Sequence, residues 1–438
     1  MKIFIETVGC FKNREDSERM AGLLARAGHE VLPAGSDAAD ADAIVVNTCG
    51  FIEAAKQESI ETIFAYAPLR AQGKRLVVTG CLAQRYAAEL ADELPEADVL
   101  LGVNDYERLP AILGQSEKTV VAESAPSILL GERVALESRH TRYLKIAEGC
   151  DNRCTYCVIP QIRGPYRSAP RDALLGEAAQ LAREGCKELI LIAQDVTNYG
   201  ADLEDGGDLS TLLQGLAGTD GVEWIRLLYC YEERITDALI EAVAREPKVC
   251  RYIDIPLQHV SAPVLKRMGR RSTPDGIRRT IARLREAVPD IVIRTTFITG
   301  FPGETDADFE ALADFLEEQR LGRVGVFAYS REEGTPAADM PDQVPREVAE
   351  ARKDALMQIQ QGISLAHNRA LVGTVQDVLI DAREEDCFVG RTRGDAPEID
   401  GEVLVEAAQA SASPVGRIVP VRITDALDYD LVGELVSP

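Results

Sequence analysis

Apolar and polar positions along the 438-residue chain follow a strand-then-helix rhythm that changes twice. In residues 1–135, short β-branched runs at 2–8, 43–47 and 75–79 alternate with helical-period stretches at 14–27 and 53–69. Runs of this kind read as strands, and strands alternating with helices read as βα units on a parallel sheet. Residues 99–102 and 105–113 form a further unit, and the weakly periodic 114–138 is the expected linker. From 136 to 370 the rhythm returns, with strands expected at 143–147, 189–193, 224–228, 252–255, 291–298 and 323–327. Helices are expected between them, such as 171–184 and 275–287, and 346–370 reads as a long helix after Pro345. About six βα units predict a full or partial parallel barrel, whose chemistry sits at the carboxyl ends of its strands. From 371 to 438 the runs shorten to 375–380, 387–392, 402–405, 417–423 and 429–436, punctuated by glycines. Five such runs predict a small antiparallel β-barrel. The expected fold class is α/β in three domains: an N-terminal parallel-sheet βα domain, a central (β/α) partial barrel and a C-terminal barrel.

Composition adds limits. With 46% hydrophobic and 27% charged residues, the chain is an ordinary globular protein. No apolar run approaches the roughly 18 residues of a membrane helix. The first residues, Met1 to Glu6, meet an acid too early for a secretory signal, so a cytoplasmic protein without a membrane partner is expected. The net charge is −24. Such a chain repels phosphate backbones on average and attracts basic partners.

Ten cysteines against four histidines make any metal centre thiolate-rich, which favours iron–sulfur clusters or zinc. Cys150, Cys154 and Cys157 have CxxxCxxC spacing directly after an expected strand. Three thiolates on one loop hold three irons of a 4Fe-4S cluster and leave the fourth open to an outside ligand. The amine and carboxylate of an amino acid such as S-adenosylmethionine suit that position. The other readings are three free thiols, or zinc with a ligand from elsewhere. His140 is the one nearby histidine, and it precedes the strand. Cys10, Cys49 and Cys81 each stand at or just past the end of an expected strand in the first domain. In a parallel sheet those ends share one edge, so three thiols distant in sequence can converge as a second three-cysteine site. Three buried core cysteines are the plainer reading. Cys186, Cys230, Cys250 and Cys387 show no comparable pattern. After another expected strand, Gly300, Gly303 and Glu304 lie in a Gly-Phe-Pro-Gly-Glu loop suited to close backbone approach to a cosubstrate's adenine.

Several stretches carry a resemblance: Thr7-Val8-Gly9-Cys10-Phe11-Lys12-Asn13, Val46-Asn47-Thr48-Cys49-Gly50-Phe51-Ile52, Ile146-Ala147-Glu148-Gly149-Cys150, Ile159-Pro160-Gln161-Ile162-Arg163-Gly164, Ile255-Pro256-Leu257-Gln258-His259, and Phe327-Ala328-Tyr329-Ser330 before Glu333-Gly334-Thr335-Pro336. With the order of the three parts, they make the chain similar, over nearly its whole length, to the radical S-adenosylmethionine methylthiotransferase family. Within it the chain looks like the branch that modifies an aspartate of small-subunit ribosomal protein S-twelve. It departs from the family at Phe11, where Pro is frequent, and at Ala169, where Arg is frequent. Neither is an expected ligand. The resemblance implies that the C-terminal barrel is a TRAM domain and that two 4Fe-4S clusters are present. Cys150, Cys154 and Cys157 would hold the cluster that cleaves S-adenosylmethionine. Cys10, Cys49 and Cys81 would hold an auxiliary cluster associated with sulfur delivery. One S-adenosylmethionine supplies a methyl group to sulfur; a second supplies the 5′-deoxyadenosyl radical that abstracts hydrogen from the aspartate β-carbon. That C–H is not acidic enough for a side-chain base, so no catalytic acid or base is expected. His259 and Asp195 are expected at most to shape the pocket. An electron donor and a sulfur donor are implied partners.

Charge separates sibling branches. Residues 371–438 hold five arginines, no lysine and fourteen acids, a net −9. An RNA-reading barrel presents a basic surface. An acidic one suits a basic ribosomal protein, which makes transfer RNA the less favoured substrate. A two-cluster electron-transfer or sensor protein is the alternative of another class. Cleavage of S-adenosylmethionine distinguishes it from an enzyme. Cys154→Ala is expected to abolish release of 5′-deoxyadenosine by the reduced protein. Cys49→Ala is expected to keep part of it while losing methylthio transfer, both measured by mass spectrometry.

Overall fold

The computed structural model describes residues 1–115, 119–121, 125–204, 206–406 and 413–436. Strands β1 (Lys2–Thr7), β2 (Glu30–Val31), β3 (Ala43–Thr48), β4 (Arg75–Gly80), β5 (Val99–Leu101) and β6 (Thr119–Val121) form one sheet in the order β2-β1-β3-β4-β5-β6, every pair parallel. All six residues of β3 are buried, as expected of a central parallel strand covered on both faces. Helix Phe11–Arg26 packs on one face through Met20 and Leu24, and helix Glu53–Tyr66 on the other through Ile63. Part of the expected linker packs against the first domain. It contributes β6 to the sheet edge. It then lies along helix Phe11–Arg26, where Gly22 leaves room for the carbonyl of Glu132 and buried Arg133 reaches Glu15 and Glu177.

The second domain holds β7 (Thr141–Lys145), a short antiparallel pair β8 (Ala147–Glu148) and β9 (Arg167–Ser168), then β10 (Glu188–Ile192), β11 (Trp224–Leu227), β12 (Val249–Asp254), β13 (Val292–Thr299) and β14 (Arg323–Ala328). Its parallel sheet runs β14-β13-β12-β11-β10-β7 and does not close. This is a partial barrel, one of the two forms expected. Side chains alternate across each strand. Leu189, Leu191, Ile225, Leu227 and Ile253 join the helix-covered core, whereas Ile190, Ile192, Trp224 and Tyr252 face the other way. Phe11 from the first domain and Leu379 and Ala396 from the third fill that second face, so all three domains share one interior.

Helix Arg346–Leu371 leads into β15 (Val375–Arg383), β16 (Cys387–Thr392), β17 (Val403–Glu406), β18 (Ile418–Ala426) and β19 (Leu431–Leu435), a closed barrel in the order β15-β16-β17-β19-β18. It is not antiparallel throughout: β17 and β19 run parallel. An odd number of strands cannot alternate direction around a closed ring, so one parallel pair is unavoidable. The barrel docks through buried ion pairs. Arg391 bonds Glu188 at 2.9 Å and also Asp381, Arg323 bonds Asp395 at 2.6 Å, and Tyr252 donates to Asp400 at 2.7 Å. Burial alone would raise the Glu188 carboxyl, but Arg391 and Arg226 outweigh it and hold it below its ordinary value. Removing one partner of such a pair strands a buried charge, so Arg391→Met should destabilise the protein by about 3–5 kcal/mol. Denaturant unfolding measures this, and a shift within about 0.5 kcal/mol would speak against docking through this pair.

Candidate functional site

The first cysteine set is built by strand register. Thr7 pairs with Asn47 and Thr48 with Gly80, so the chain leaves β1, β3 and β4 at one edge. Cys10 precedes helix Phe11–Arg26, Cys49 follows β3, and Cys81 opens helix Cys81–Arg85. Two glycines make the close approach feasible. Gly9 (φ +107°) would place a Cβ 2.7 Å from that of Cys49, and Gly80 (φ +96°) one 2.4 Å from the carbonyl of Thr48. Beneath the thiols, Asn13 donates to the carbonyl of Thr48 at 2.9 Å, and Asn47 donates to the carbonyl of Asn13 at 2.8 Å. The Cys49 amide is held by Ser59 Oγ at 3.0 Å. Burial, then the neighbouring Cys81 and Cys10, pushes the Cys49 thiol up to about 12.

The second set sits on the loop after β8. Gly149 (φ +82°) turns the chain so tightly that a Cβ there would lie 2.1 Å from the carbonyl of Pro165. The Cys150 amide donates to Gly164 and the Cys157 amide to Cys154, both at 3.1 Å. The loop is tied to neighbouring strand ends: Asn152 donates to Asp195 at 2.9 Å, Arg234 bonds both Asn152 and Asp195, and Tyr231 Oη lies 3.7 Å from Cys154 Sγ. Burial is the largest influence on the Cys150 thiol, pushed up to about 11, and on the Cys157 thiol, pushed up to about 12. In both sets, buried thiols hinder one another's ionisation. A polycationic iron–sulfur core would remove that penalty, and thiolates are the donors it takes, although among the described residues no three such groups stand as a formed metal site.

A buried ion network joins the two sets. Arg163 bonds Asp16 at 2.7 Å, Glu148 at 3.1 Å and the Cys81 sulfur at 3.3 Å. Lys145, the last residue of β7, bonds Asp16 as well as Glu148 at 2.9 Å and Glu15 at 3.1 Å. Glu148 also accepts from Gln194 at 2.7 Å. Burial would raise the Glu148 carboxyl, yet Lys145 and Arg163 overcome it and hold it well below its usual range. Glu148 and Arg163 lie within the stretches that carry the family resemblance, but nothing in the sequence marks them, Lys145, Glu15 or Asp16 as partners of one another. The signal that was available is the Arg163 position, within six residues of Cys157.

Other expected residues have different occupations. Asp195 touches the second cysteine loop through Asn152, and burial raises its carboxyl. His259 does not touch either set: its Nδ1 accepts from the Ser261 amide at 2.9 Å and its Nε2 lies 3.5 Å from Glu304. Gly300 and Gly303 are left-handed, and the space a side chain would need is taken by Ala349 and Arg267. Both Glu304 oxygens are engaged internally, one by the Gly300 amide at 2.9 Å and the other by Arg352 at 2.7 Å. A cavity of about 350 Å³, lined by Thr7, Tyr143, His140, Asp381 and Glu398, lies where the three domains meet, and none of the six cysteines lines it.

Three domain matches coincide with this architecture: residues 2–102 match the uncharacterized protein family UPF0004, 144–316 the radical SAM superfamily, and 372–436 the TRAM domain. The fold resembles a radical S-adenosylmethionine methyltransferase, TsrM, from Kitasatospora setae, with TM-score 0.55 and 13% identity over 86% of this chain and 80% of that one. Fold and cysteine loop together define a radical S-adenosylmethionine enzyme, a class that works with an iron–sulfur cluster and S-adenosylmethionine. Ribosomal protein uS12 methylthiotransferase RimO of Pelobacter propionicus is 49% identical over 99% of this chain and 98% of its own length. That of Geotalea uraniireducens is 50% identical over 99% and 98%. The chain belongs to this methylthiotransferase family.

The left-handed turn before Cys150 gives a direct test. Gly149→Ala should cost about 1–3 kcal/mol and lower bound iron per chain. Gly176→Ala, in a helix with open space around it, should be neutral or stabilising by up to about 1 kcal/mol. Denaturant midpoints and iron quantification on both variants check this.

Proposed function

We propose that the chain is a protein methylthiotransferase that places a methylthio group on the β-carbon of an aspartate in ribosomal protein uS12. The observation that carries the reading is the single buried network reaching from the Cys150 loop to Cys81, because sulfur delivery and radical formation must serve one substrate atom. Cys150, Cys154 and Cys157 would hold one 4Fe-4S cluster and Cys10, Cys49 and Cys81 a second. When bound, these groups with S-adenosylmethionine supply the carbon-centred radical and the methylated sulfur.

The chain's residues supply position and environment. Arg163 places its charge beside Cys81, and Tyr231 and Arg270 close over Cys154, the Arg270 guanidinium 4.3 Å from the Tyr231 ring. Asn152, Asp195 and Arg234 brace the loop against the ends of β10 and β11. Gly300 and Gly303 would meet the cosubstrate through their backbone. Glu304 would support that loop from behind. No side chain is assigned as acid or base.

Charge favours the protein substrate, though less simply than a net count implies. Asp395 and Asp400 of the barrel are occupied in docking to Arg323 and Tyr252, and Asp381 pairs within the barrel with Arg391. With a net charge of −9 over residues 371–438, the barrel still favours a basic protein over RNA. Reductant and sulfur donor come from outside the chain, in a cytoplasmic setting where thiols stay reduced. Among the described residues no helix is long and apolar enough to cross a membrane.

An anaerobic competition tests the substrate. Reconstituted enzyme, S-adenosylmethionine, sulfide and reductant are offered a uS12 peptide bearing the aspartate together with unmodified transfer RNA. Mass spectrometry should find methylthio on the peptide and none on the RNA. Modified RNA with untouched peptide would keep the chemistry and overturn the substrate.

A further inference from the structure

Lys12 is a buried lysine with no carboxylate in direct contact, Glu148 and Asp254 acting on it only from further away. It lies two residues beyond Cys10 in the first turn of helix Phe11–Arg26 and is 7% exposed. Among the described residues, every other buried lysine or arginine has an oxygen partner. Lys145 and Arg163 share Asp16 and Glu148, Arg226 and Arg391 share Glu188, and Arg270 donates to the carbonyl of Pro256. The Lys12 ammonium instead rests on the face of Tyr229, 3.3 Å from the ring centroid.

Tyr229 is itself unusual. It follows β11 with φ +63°, a backbone conformation that a bulky side chain rarely adopts, and its amide is held by Asp254 at 2.9 Å. Two residues on, Tyr231 reaches the Cys154 sulfur. Residues 229–231 therefore span from Lys12, beside the first cysteine set, to the second set. A substrate side chain placed between the two sets would come near this ammonium.

We propose that Lys12 anchors the carboxylate of the residue being modified. This rests on the aspartate reading above and adds the group that recognises it. An aromatic face steadies a cation without neutralising it, and leaves ammonium N–H donors free for a ligand. A carboxylate arriving there gains a charge-assisted hydrogen bond and relieves an unpaired buried charge. A neutral amide or nucleobase relieves neither. Lys12 is thus a specificity determinant: it holds the carboxylate so that the adjacent β-carbon faces the reacting groups, and exchanges no proton or electron itself.

The test measures binding before turnover. Fluorescein-labelled uS12 peptides carrying Asp or Asn at the target position are titrated by anisotropy against anaerobic, cluster-loaded enzyme without reductant. Wild-type protein should bind the Asp peptide about tenfold more tightly than the Asn peptide. Lys12→Gln and Lys12→Met should each reduce that ratio below about twofold, and Lys12→Arg should restore most of it. After reductant is added, the Asp-over-Asn ratio of kcat/KM should fall in parallel. Iron content identifies correctly loaded variants, and agreement between the Gln and Met variants guards against misfolding of one. If the wild type methylthiolates the Asp peptide and both variants keep its Asp preference, Lys12 is not the anchor. If the wild type methylthiolates neither peptide, the substrate reading itself fails.

Discussion

Everything distinctive in this protein depends on a set of charges that have no access to water. Lys145 and Arg163 from the central domain meet Glu15 and Asp16 from the first helix and Glu148 from the loop strand, all nearly fully buried. Taking these groups out of water is expensive, and a well-packed apolar contact would serve stability as well. What the network offers is registry. An apolar interface tolerates sliding, whereas Arg163 can satisfy Asp16, Glu148 and Cys81 together in one arrangement. Cys81 of the first sheet is thereby tied to the strand that leads into Cys150.

The barrel is attached by the same device. Glu188 at the start of β10 is shared by Arg226 of the sheet and Arg391 of the barrel, while Asp395 and Asp400 meet Arg323 and Arg294. Part of the barrel's acidity is thus internal glue. Between these ion pairs, Leu379 and Ala396 pack beside Tyr252 and Trp224, so the face of the open sheet that helices do not cover is closed by the barrel and by Phe11. The substitution of Phe for Pro at position 11 has a physical reading here: the ring stacks on Tyr143 at 4.7 Å.

Much of this was legible because parallel strands are short, apolar and end abruptly. The expected run at 43–47 is one residue short of β3, that at 387–392 coincides with β16, and the cysteines mark the ends of β3 and β4. Other features left weaker traces. β6 is three residues inside a polar stretch, stabilised by pairing with β5 rather than by its own pattern. The parallel β17–β19 contact follows from closing five strands, a property of the ring that no single run displays. Buried charge was the largest blind spot. Nothing local marks Lys12, Glu15, Asp16 and Arg19 as buried, because residues distant in sequence decide their burial. Glu304, expected beside a ligand, takes a hydrogen bond from Arg352 of the long helix, a partner that lies 48 residues away in sequence.

The central claim is that the buried network holds the two cysteine sets at one fixed separation. The most direct measurement is the magnetic coupling between the two reduced clusters that these cysteine sets would hold, by electron paramagnetic resonance, in wild-type holoenzyme and in Asp16→Leu with matched iron content. Asp16 touches neither set of thiols through a bond of its own, yet both Lys145 and Arg163 depend on it. The account predicts a single, well-defined coupling in the wild type that broadens or disappears in the variant. An identical, sharp coupling in both proteins would contradict it.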